Sequence, residues 1–371
     1  MKNSKNFLAF VLCLVLVASV FALAACGVSQ EEVDKLNKQI EDLNTKLAAV
    51  EKEAKDNKAL LDKANAEKAA AEAMVEKYKD QPVGGTDNVD YDLSADGKYY
   101  IANGLKENAD GTIVVLARSF NGLPVKEIAE EAFAWQNEGG VESGEAISVI
   151  RHVYIPDNIT IIGKKAFAGL TQLSTIVLEG TFDADESGVE IFMECGMSYF
   201  KVPDGQKVLP TGFLRACPNL TTVILPEGLE VIGENCFFSG NAIRDLYIPD
   251  SVKRIEWAAF YCATSMTMSH FPSNVEYIGK EAFMWCVNIV IDEIVFGENF
   301  KYIGEHAFDT CRNIGKFTFK VTDGWYTTTD AEATQGDAVD FSNPANNKII
   351  ITTSGGEGDV VGKMDLIFKH N

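Results

Sequence analysis

Eight of the 371 residues are cysteines, the residue type here with the widest chemical range: nucleophile, metal ligand, disulfide half or acylation point. Cys13 and Cys26 lie in the N-terminal apolar stretch, and the other six are Cys195, Cys217, Cys236, Cys262, Cys286 and Cys311. A metal centre would need thiolates and imidazoles at ligand spacing. No close CxxC pair occurs, and His152, His270, His306 and His370 are not grouped with the cysteines. A disulfide framework is the usual expectation for a small secreted domain. Here Cys195, Cys286 and Cys311 each follow a phenylalanine by three residues, after Phe192, Phe283 and Phe308, so their spacing follows a repeat instead of a pairing scheme. Cys217, Cys236 and Cys262 lie near that position but not on it. One interior column of buried thiols is the favoured reading; coils about 5 Å apart leave a bridge geometrically open. Neither a GxSxG elbow nor an HExxH pair, P-loop or dinucleotide fingerprint is present, and the scattered histidines supply no general base. The sequence therefore does not read as an enzyme and implies no cofactor and no metal, although a site built from distant carboxylates leaves no motif.

The element that must position these residues is a unit of about 23 residues recurring between Phe133 and Phe319. Its marks are an apolar residue before proline (Pro156, Pro203, Pro226, Pro249, Pro272), an Ile-Gly step, and an Ala-Phe step. The phenylalanines run Phe133, Phe167, Phe192, Phe213, Phe237, Phe260, Phe283, Phe308. A fixed period in the twenties predicts a solenoid whose units bury their apolar faces by stacking on one another. Such a fold presents a surface more readily than it encloses a pocket. Ahead of it, Asp96-Gly97 and Asp110-Gly111 punctuate two short apolar alternations and predict a small sheet that caps the first repeat. The stretch Asp92-Leu93-Ser94-Ala95-Asp96-Gly97 resembles the start of a calcium loop, but Asn103 stands where a bidentate Glu is needed, so a hairpin turn is favoured.

The N-terminus carries Lys2 and Lys5, an apolar run from Phe7 to Leu23, and then Leu23-Ala24-Ala25-Cys26-Gly27. A basic start, apolar middle and small-residue end predict a signal peptide. Its last residues resemble the bacterial lipoprotein lipobox, which implies cleavage before Cys26 and a diacylglyceryl group on its sulfur. An uncleaved membrane anchor is the alternative, because the run is nearly long enough to span. On either reading the remainder lies outside the cytoplasm, lipid-anchored to the cell membrane on its extracellular side if Cys26 is acylated.

From Val33 to Tyr78 apolar residues recur at spacings of three and four: Val33, Leu36, Ile40, Leu43, Leu47, Val50, Ala54, Leu61, Ala64, Ala71, Val75 and Tyr78. This heptad seam predicts a long helix able to self-associate through residues 33–78 as a coiled coil, interrupted at Asn57 and Lys68. A solvated single helix is the alternative, since Ala-, Glu- and Lys-rich sequence is helical without partners. Pro82 and the glycines at 84 and 85 end it. The expected organisation is a signal peptide (1–25), a helical coiled-coil stalk (26–82), an N-terminal β cap (83–121), the repeat solenoid (122–320) and a C-terminal β cap (321–371). The formal charge of −21 argues against nucleic acid and against docking on an anionic surface.

The repeats are similar to the BspA-like class of bacterial leucine-rich repeats. The carriers are Ile155-Pro156, Val202-Pro203, Leu225-Pro226 and Ile248-Pro249, with Ile162-Gly163, Ile232-Gly233, Ile278-Gly279 and Ile303-Gly304, the Ala-Phe steps, and the opening Gly122-Leu123-Pro124-Val125. Phe271-Pro272 and Phe296-Gly297 drift from the pattern, the copy around Phe192 is degenerate, and residues 136–146 read as an inserted surface loop. The resemblance implies a β-rich solenoid of parallel strands that binds proteins on bacterial surfaces, including host proteins, and brings no catalytic residues. The period of two within each strand then sorts the faces. Inward go pairs such as Val153/Ile155, Phe200/Val202 and Leu246/Ile248. Outward go His152/Tyr154, Thr175/Val177, Tyr199/Lys201, Thr222/Ile224, Asp245/Tyr247, Met268/His270, Glu293/Val295 and Lys316/Thr318. Exposed tyrosine is favoured at interfaces, so Tyr154, Tyr199, Lys201, Ile224, Tyr247 and His270 are the candidate protein-binding residues, of an adhesin for host or neighbouring-cell proteins. Such residues also suit exposed strands with no partner, and the alternative function is a structural envelope lipoprotein acting through its coiled coil.

Overall fold

The computed structural model describes residues 30–79, 85–107, 112–134, 150–328, 337–343, 347 and 367–370. The leader, Cys26, the Asp110-Gly111 turn and the insertion at 136–146 lie outside the described residues. The chain forms two compact units, Met1–Asp62 and Lys63–Asn371. Helix α1 (Gln30–Tyr78) has residues in each. Within the first unit Leu43 and Leu61 of the seam stand exposed, at 48% and 54%, and Lys46 pairs with Asp42 one turn earlier at 2.6 Å.

In the second unit the cap comes first. Strands β1 (Val89–Leu93) and β2 (Tyr100–Leu105) form an antiparallel hairpin. Gly97, at φ 71°, turns it, and Ser94 Oγ donates to Asp96 there at 2.8 Å. Next come β3 (Ile113–Val115), β4 (Ser119–Phe120) and β5 (Leu123–Ile128): β4 pairs antiparallel with β5, β2 and β5 pair in parallel, and β3 pairs in parallel with the first full repeat strand, β6 (His152–Ile155). The cap strands thus share one small sheet, which continues into the first coils through β5.

The coils then carry longer strands of three to six residues and short strands of two. In chain order they are β7 (Ile161–Ile162), β8 (Thr175–Leu178), β9 (Tyr199–Lys201), β10 (Val208–Leu209), β11 (Thr222–Ile224), β12 (Val231–Ile232), β13 (Arg254–Ile255), β14 (Tyr277–Ile278), β15 (Ile291–Phe296), β16 (Tyr302–Ile303) and β17 (Ile314–Phe319). The short strands β10, β12, β13, β14 and β16 make one continuous parallel ladder. Strand β20 (Ile367–His370) adds to that ladder antiparallel to β16, followed by β18 (Trp325–Thr328) and then β19 (Asp337–Val339), each antiparallel to the last. There Phe319, Trp325 and Phe341 cover the last coil with aromatic contacts of 4.1 to 5.4 Å.

Three features of the repeat have plain physical causes. The phenylalanine rings stack coil on coil, Phe237 on Phe260 at 5.2 Å, Phe260 on Phe283 at 5.1 Å and Phe283 on Phe308 at 5.2 Å, all fully buried or nearly so. Apolar burial with offset aromatic contact is the main favourable term of such a stack. The Ile-Gly steps are set by crowding: a Cβ on Gly279 would sit 2.6 Å from the Glu256 carbonyl carbon and the Trp257 nitrogen of the preceding coil. The cysteine column is held by hydrogen bonds, because the thiols of Cys195, Cys286 and Cys311 donate to the carbonyls of Phe167, Phe260 and Phe283 at 3.0 to 3.1 Å.

The structure corrects the column at one coil. The N–H groups of Phe167 and Phe237 donate to Ile191 and Ala259, the residues just before the next column positions. By the same pattern Phe192 donates to Phe213, and Leu214 donates to Cys236. Leu214, not Phe213, is thus the column residue. Cys217, three residues after it, joins the thiol column, donating to the Phe192 carbonyl at 3.2 Å. Phe213 is buried instead against Phe182, Phe192 and Phe200.

Candidate protein-binding surface

The outward side chains of the longer strands form two columns. Register aligns Ile113, His152 and Thr175 in one and Val115, Tyr154 and Val177 in the other. Farther along, Tyr199 pairs with Thr222 and Lys201 with Ile224. The alternation predicted from sequence therefore places Tyr154, Tyr199, Lys201, Ile224 and Tyr247 on one face, and the inward partners Val153, Ile155, Phe200, Val202, Leu246 and Ile248 are all in the core.

That face is divided. Tyr154 and Tyr199, expected to be exposed, are 1% and 8% exposed. What covers them is the C-terminal part of α1: Ala71, with Met74, Val75 and Tyr78, packs on Val115, Tyr154, Val177 and Tyr199. The Tyr78 and Tyr154 rings meet at 5.5 Å. Ala71, Val75 and Tyr78 belong to the second half of the heptad seam, so these residues meet the solenoid of their own chain in place of a partner helix. A stripe of small and apolar side chains at spacings of three and four fits any apolar counterface, and periodicity alone does not name which.

One polar residue completes that contact. In the flanking coils two successive N–H groups share a carbonyl of the preceding coil: Arg151 and His152 donate to Thr112, Ser174 and Thr175 to Arg151, Thr221 and Thr222 to Ser198. At Ser198 and Tyr199 the pair instead donates to Glu67 Oε2, at 2.5 and 3.2 Å. Buried backbone donors need an acceptor, and the carboxylate supplies it. Glu67 sits on the seam face, three residues after Ala64 and four before Ala71, and a charge on an otherwise apolar stripe was the signal that could have found it.

The other half of the face is open. Lys201 is exposed and pairs with Asp204 at 2.9 Å. Ile224 and Tyr247 are 43% and 48% exposed. The His270 ring lies half-buried, 5.5 Å from that of Tyr247, and its Nε2 is 3.0 Å from Asp250 Oδ1. The Ser273 N–H and the His270 side chain hold the Asp250 carboxyl below the ordinary value. Met268 was expected outward beside His270, but it is buried in the core. The reason is an additional outward residue: Asp245 N–H donates to Thr267 Oγ1, 22 residues on, so Ser269 and His270 together take the outward place that Tyr247 holds alone. Residues 244–248 and 267–270 accordingly form no strand.

All six repeat cysteines are free, five of them buried. Burial pushes the Cys217 and Cys311 thiols up to about 12, and those of Cys195, Cys236 and Cys286 well above the ordinary value. They stay protonated at neutral pH and so present no thiolate nucleophile. Among the described residues no group of three or more His, Cys, Asp or Glu could hold a metal ion, and no helix is long and apolar enough to cross a membrane.

Stacked parallel strands, a phenylalanine column and turn-side glycines define a leucine-rich-repeat solenoid with a two-part outward strand face. The repeat region belongs to the BspA type of leucine-rich repeat: the model of that family, a BspA type leucine rich repeat region in 6 copies, matches residues 146–262 and 253–323. Among solved structures the chain is similar to a leucine rich repeat protein of T. pallidum, at 24% identity over 62% of this chain and 90% of that one with a TM-score of 0.39. It is similar also to a leucine-rich repeat protein of Bacteroides ovatus, at 18% identity over 64% of each chain and a TM-score of 0.42. A leucine rich cell surface protein of Faecalibacterium prausnitzii is similar at 19% identity over 65% and 71%, with a TM-score of 0.38. No curated protein matches the chain. Repeats of this type generally serve as protein-binding scaffolds, typically at the cell surface, and are typically non-enzymatic.

Proposed function

We propose that the chain is a lipid-anchored bacterial cell-surface protein whose solenoid binds protein partners, host or neighbouring-cell proteins, through the open half of the strand face. The observation that carries this reading is the exposure of Ile224 and Tyr247 side by side on successive coils, flanked by Lys201 and His270. A few central aromatic and aliphatic side chains supply most of an interface's energy. Tyr154 and Tyr199 drop out of the open surface because α1 covers them. Anchoring through Cys26 rests on Leu23-Ala24-Ala25-Cys26, and replacing Cys26 by Ala should release the protein from the membrane fraction or leave the precursor uncut. The test of binding compares full chains on intact cells or immobilised candidate surface proteins. Ile224→Ala with Tyr247→Ala should lose on the order of 2 kcal/mol of affinity, while Glu230→Ala with Lys253→Ala leaves it nearly unchanged. Equal losses from both pairs overturn the reading.

Self-association is a second reading, now confined to residues 33–61 of the seam. The exposure of Leu43 and Leu61 favours it, and cross-linking of the full chain at two concentrations would detect it.

A further inference from the structure

The contact between residues 63–78 and the strands is incompletely satisfied. Thr175 Oγ1 and Ser198 Oγ are buried there with no hydrogen-bond partner among the described residues. The second oxygen of Glu67, Oε1, accepts no hydrogen bond among the described residues and lies 3.6 Å from Lys63 Nζ. Beside them a groove of about 290 Å³ stays open, with Ala70, Ala73, Met74 and Lys77 on the helix side and Ile113 and His152 on the strand side. The apolar helix residues most fully buried there are the small Ala64 and Ala71, so the apolar area exchanged is modest. Buried hydroxyls without partners and an unfilled groove both make such a contact weaker than its area implies.

What the strands contribute is by contrast specific. The coil that ends at Tyr199 is one residue longer than its neighbours: 24 residues separate Thr175 from Tyr199, against 23 from His152 to Thr175 and from Tyr199 to Thr222. The ladder between β8 and β9 is left open there, and two adjacent N–H groups point at one oxygen. A pair of backbone donors set in an apolar strip is a receptor for a carboxylate carried on an apolar helix face.

We propose that the outward face of strands β3, β6, β8 and β9 is a helix-binding site, and that residues 63–78 occupy it in cis as a replaceable ligand. Its partner in trans is an α-helix with a carboxylate, a small residue four positions later and apolar or aromatic residues at seven, eight and eleven, the pattern of Glu67, Ala71, Met74, Val75 and Tyr78. The cis helix has the advantage of tethering, so a trans helix must overcome a high effective concentration. Exchange would place the partner's helix next to Lys201, Ile224 and Tyr247, joining both halves of the face. Only that last consequence rests on the function proposed for the open half.

The probe is a labelled synthetic peptide of residues 60–80, followed by fluorescence anisotropy against the full chain and against the full chain carrying Ala64→Lys and Ala71→Lys, which ejects the cis helix. The variant is expected to bind the peptide at least about tenfold more tightly than wild type, because a competing cis state lowers apparent affinity in proportion to its population. A peptide with Glu67→Gln should bind the variant markedly less well. Failure of the folded variant to bind above a scrambled peptide overturns the proposal and leaves the Ile224 and Tyr247 reading standing. Should the variant not fold, hydrogen exchange of wild type decides. The Ser198 and Tyr199 amides should exchange at least about tenfold faster than those of Ser174 and Thr175, through opening of the helix alone. Equal protection would show that the helix leaves only on global unfolding, and the proposal fails.

Discussion

Glu67 and Tyr199 are 132 residues apart in sequence, and the carboxylate of the first accepts the backbone N–H of the second at 3.2 Å. With the shorter bond from Ser198, this ties a helix to a solenoid at the one place where the outward ladder of the early coils is interrupted. Replacing Glu67 by Ala should cost about 1 to 3 kcal/mol, the range for removing a charged partner from buried donors. Glu67→Gln, which keeps an acceptor, should cost less. Denaturant unfolding of the full chain measures both, and no loss for the Ala variant would mean that the contact contributes nothing.

Phe283→Ala and Tyr247→Ala separate the two faces. Phe283 is fully buried between Phe260 and Phe308, so its truncation should cost roughly 3 to 5 kcal/mol. Tyr247 stands 48% exposed, and its loss should stay within about 0.5 kcal/mol. Because each coil touches only its neighbours, protection from hydrogen exchange should fall first around Phe260 and Phe308 in the Phe283 variant. Equal destabilisation by the two would contradict the assignment of faces.

The thiol column predicts a one-sided response to pH. A group whose value is raised on folding binds its proton more tightly in the folded chain, so its contribution is complete below the unfolded value of 9.0 and is lost as pH climbs toward about 12 for Cys217 and Cys311. Stability should thus decline above pH 9. At pH 8, iodoacetamide should leave Cys195, Cys217, Cys236, Cys286 and Cys311 unmodified until denaturant is added, with half-buried Cys262 reacting first. Rapid labelling of the native column would refute the buried assignment.

Glu230 bridges three coils, 2.9 Å from both Lys207 and Lys253. Hydrogen bonds from Lys253 and Lys207 hold its carboxyl down at about 2. The sign is opposite to that of the thiols: the contribution is present above the ordinary value of 4.5 and is lost as pH falls toward 2. A carbon-detected titration should place its midpoint well below 4, and Lys207→Ala with Lys253→Ala should return it toward 4.5. A midpoint already near 4.5 in the unmodified chain would show that the bridge is not formed in solution.

The repeat was legible because its causes are local. A phenylalanine, a proline and a glycine recurring at a fixed distance can satisfy their burial and crowding only against copies of themselves, and Phe283, Gly279 and Cys286 stand where that rule puts them. The rule misread only coils of altered length. One residue of difference hid Leu214 behind Phe213, and an additional outward residue sent Met268 into the core.

What the sequence by itself determined, then, was the solenoid, its inward and outward alternation and a helix-forming seam before it. Which counterface the seam takes was decided by tertiary structure alone. Ala64, Ala71, Val75 and Tyr78 read equally well as half of a coiled coil, since an apolar stripe carries no address. The address lies in two amides, at Ser198 and Tyr199, left without a ladder partner by one additional residue in a distant coil and answered by Glu67. A match between a backbone gap and a side chain more than a hundred residues away has no periodicity, and it arises only when the chain is folded.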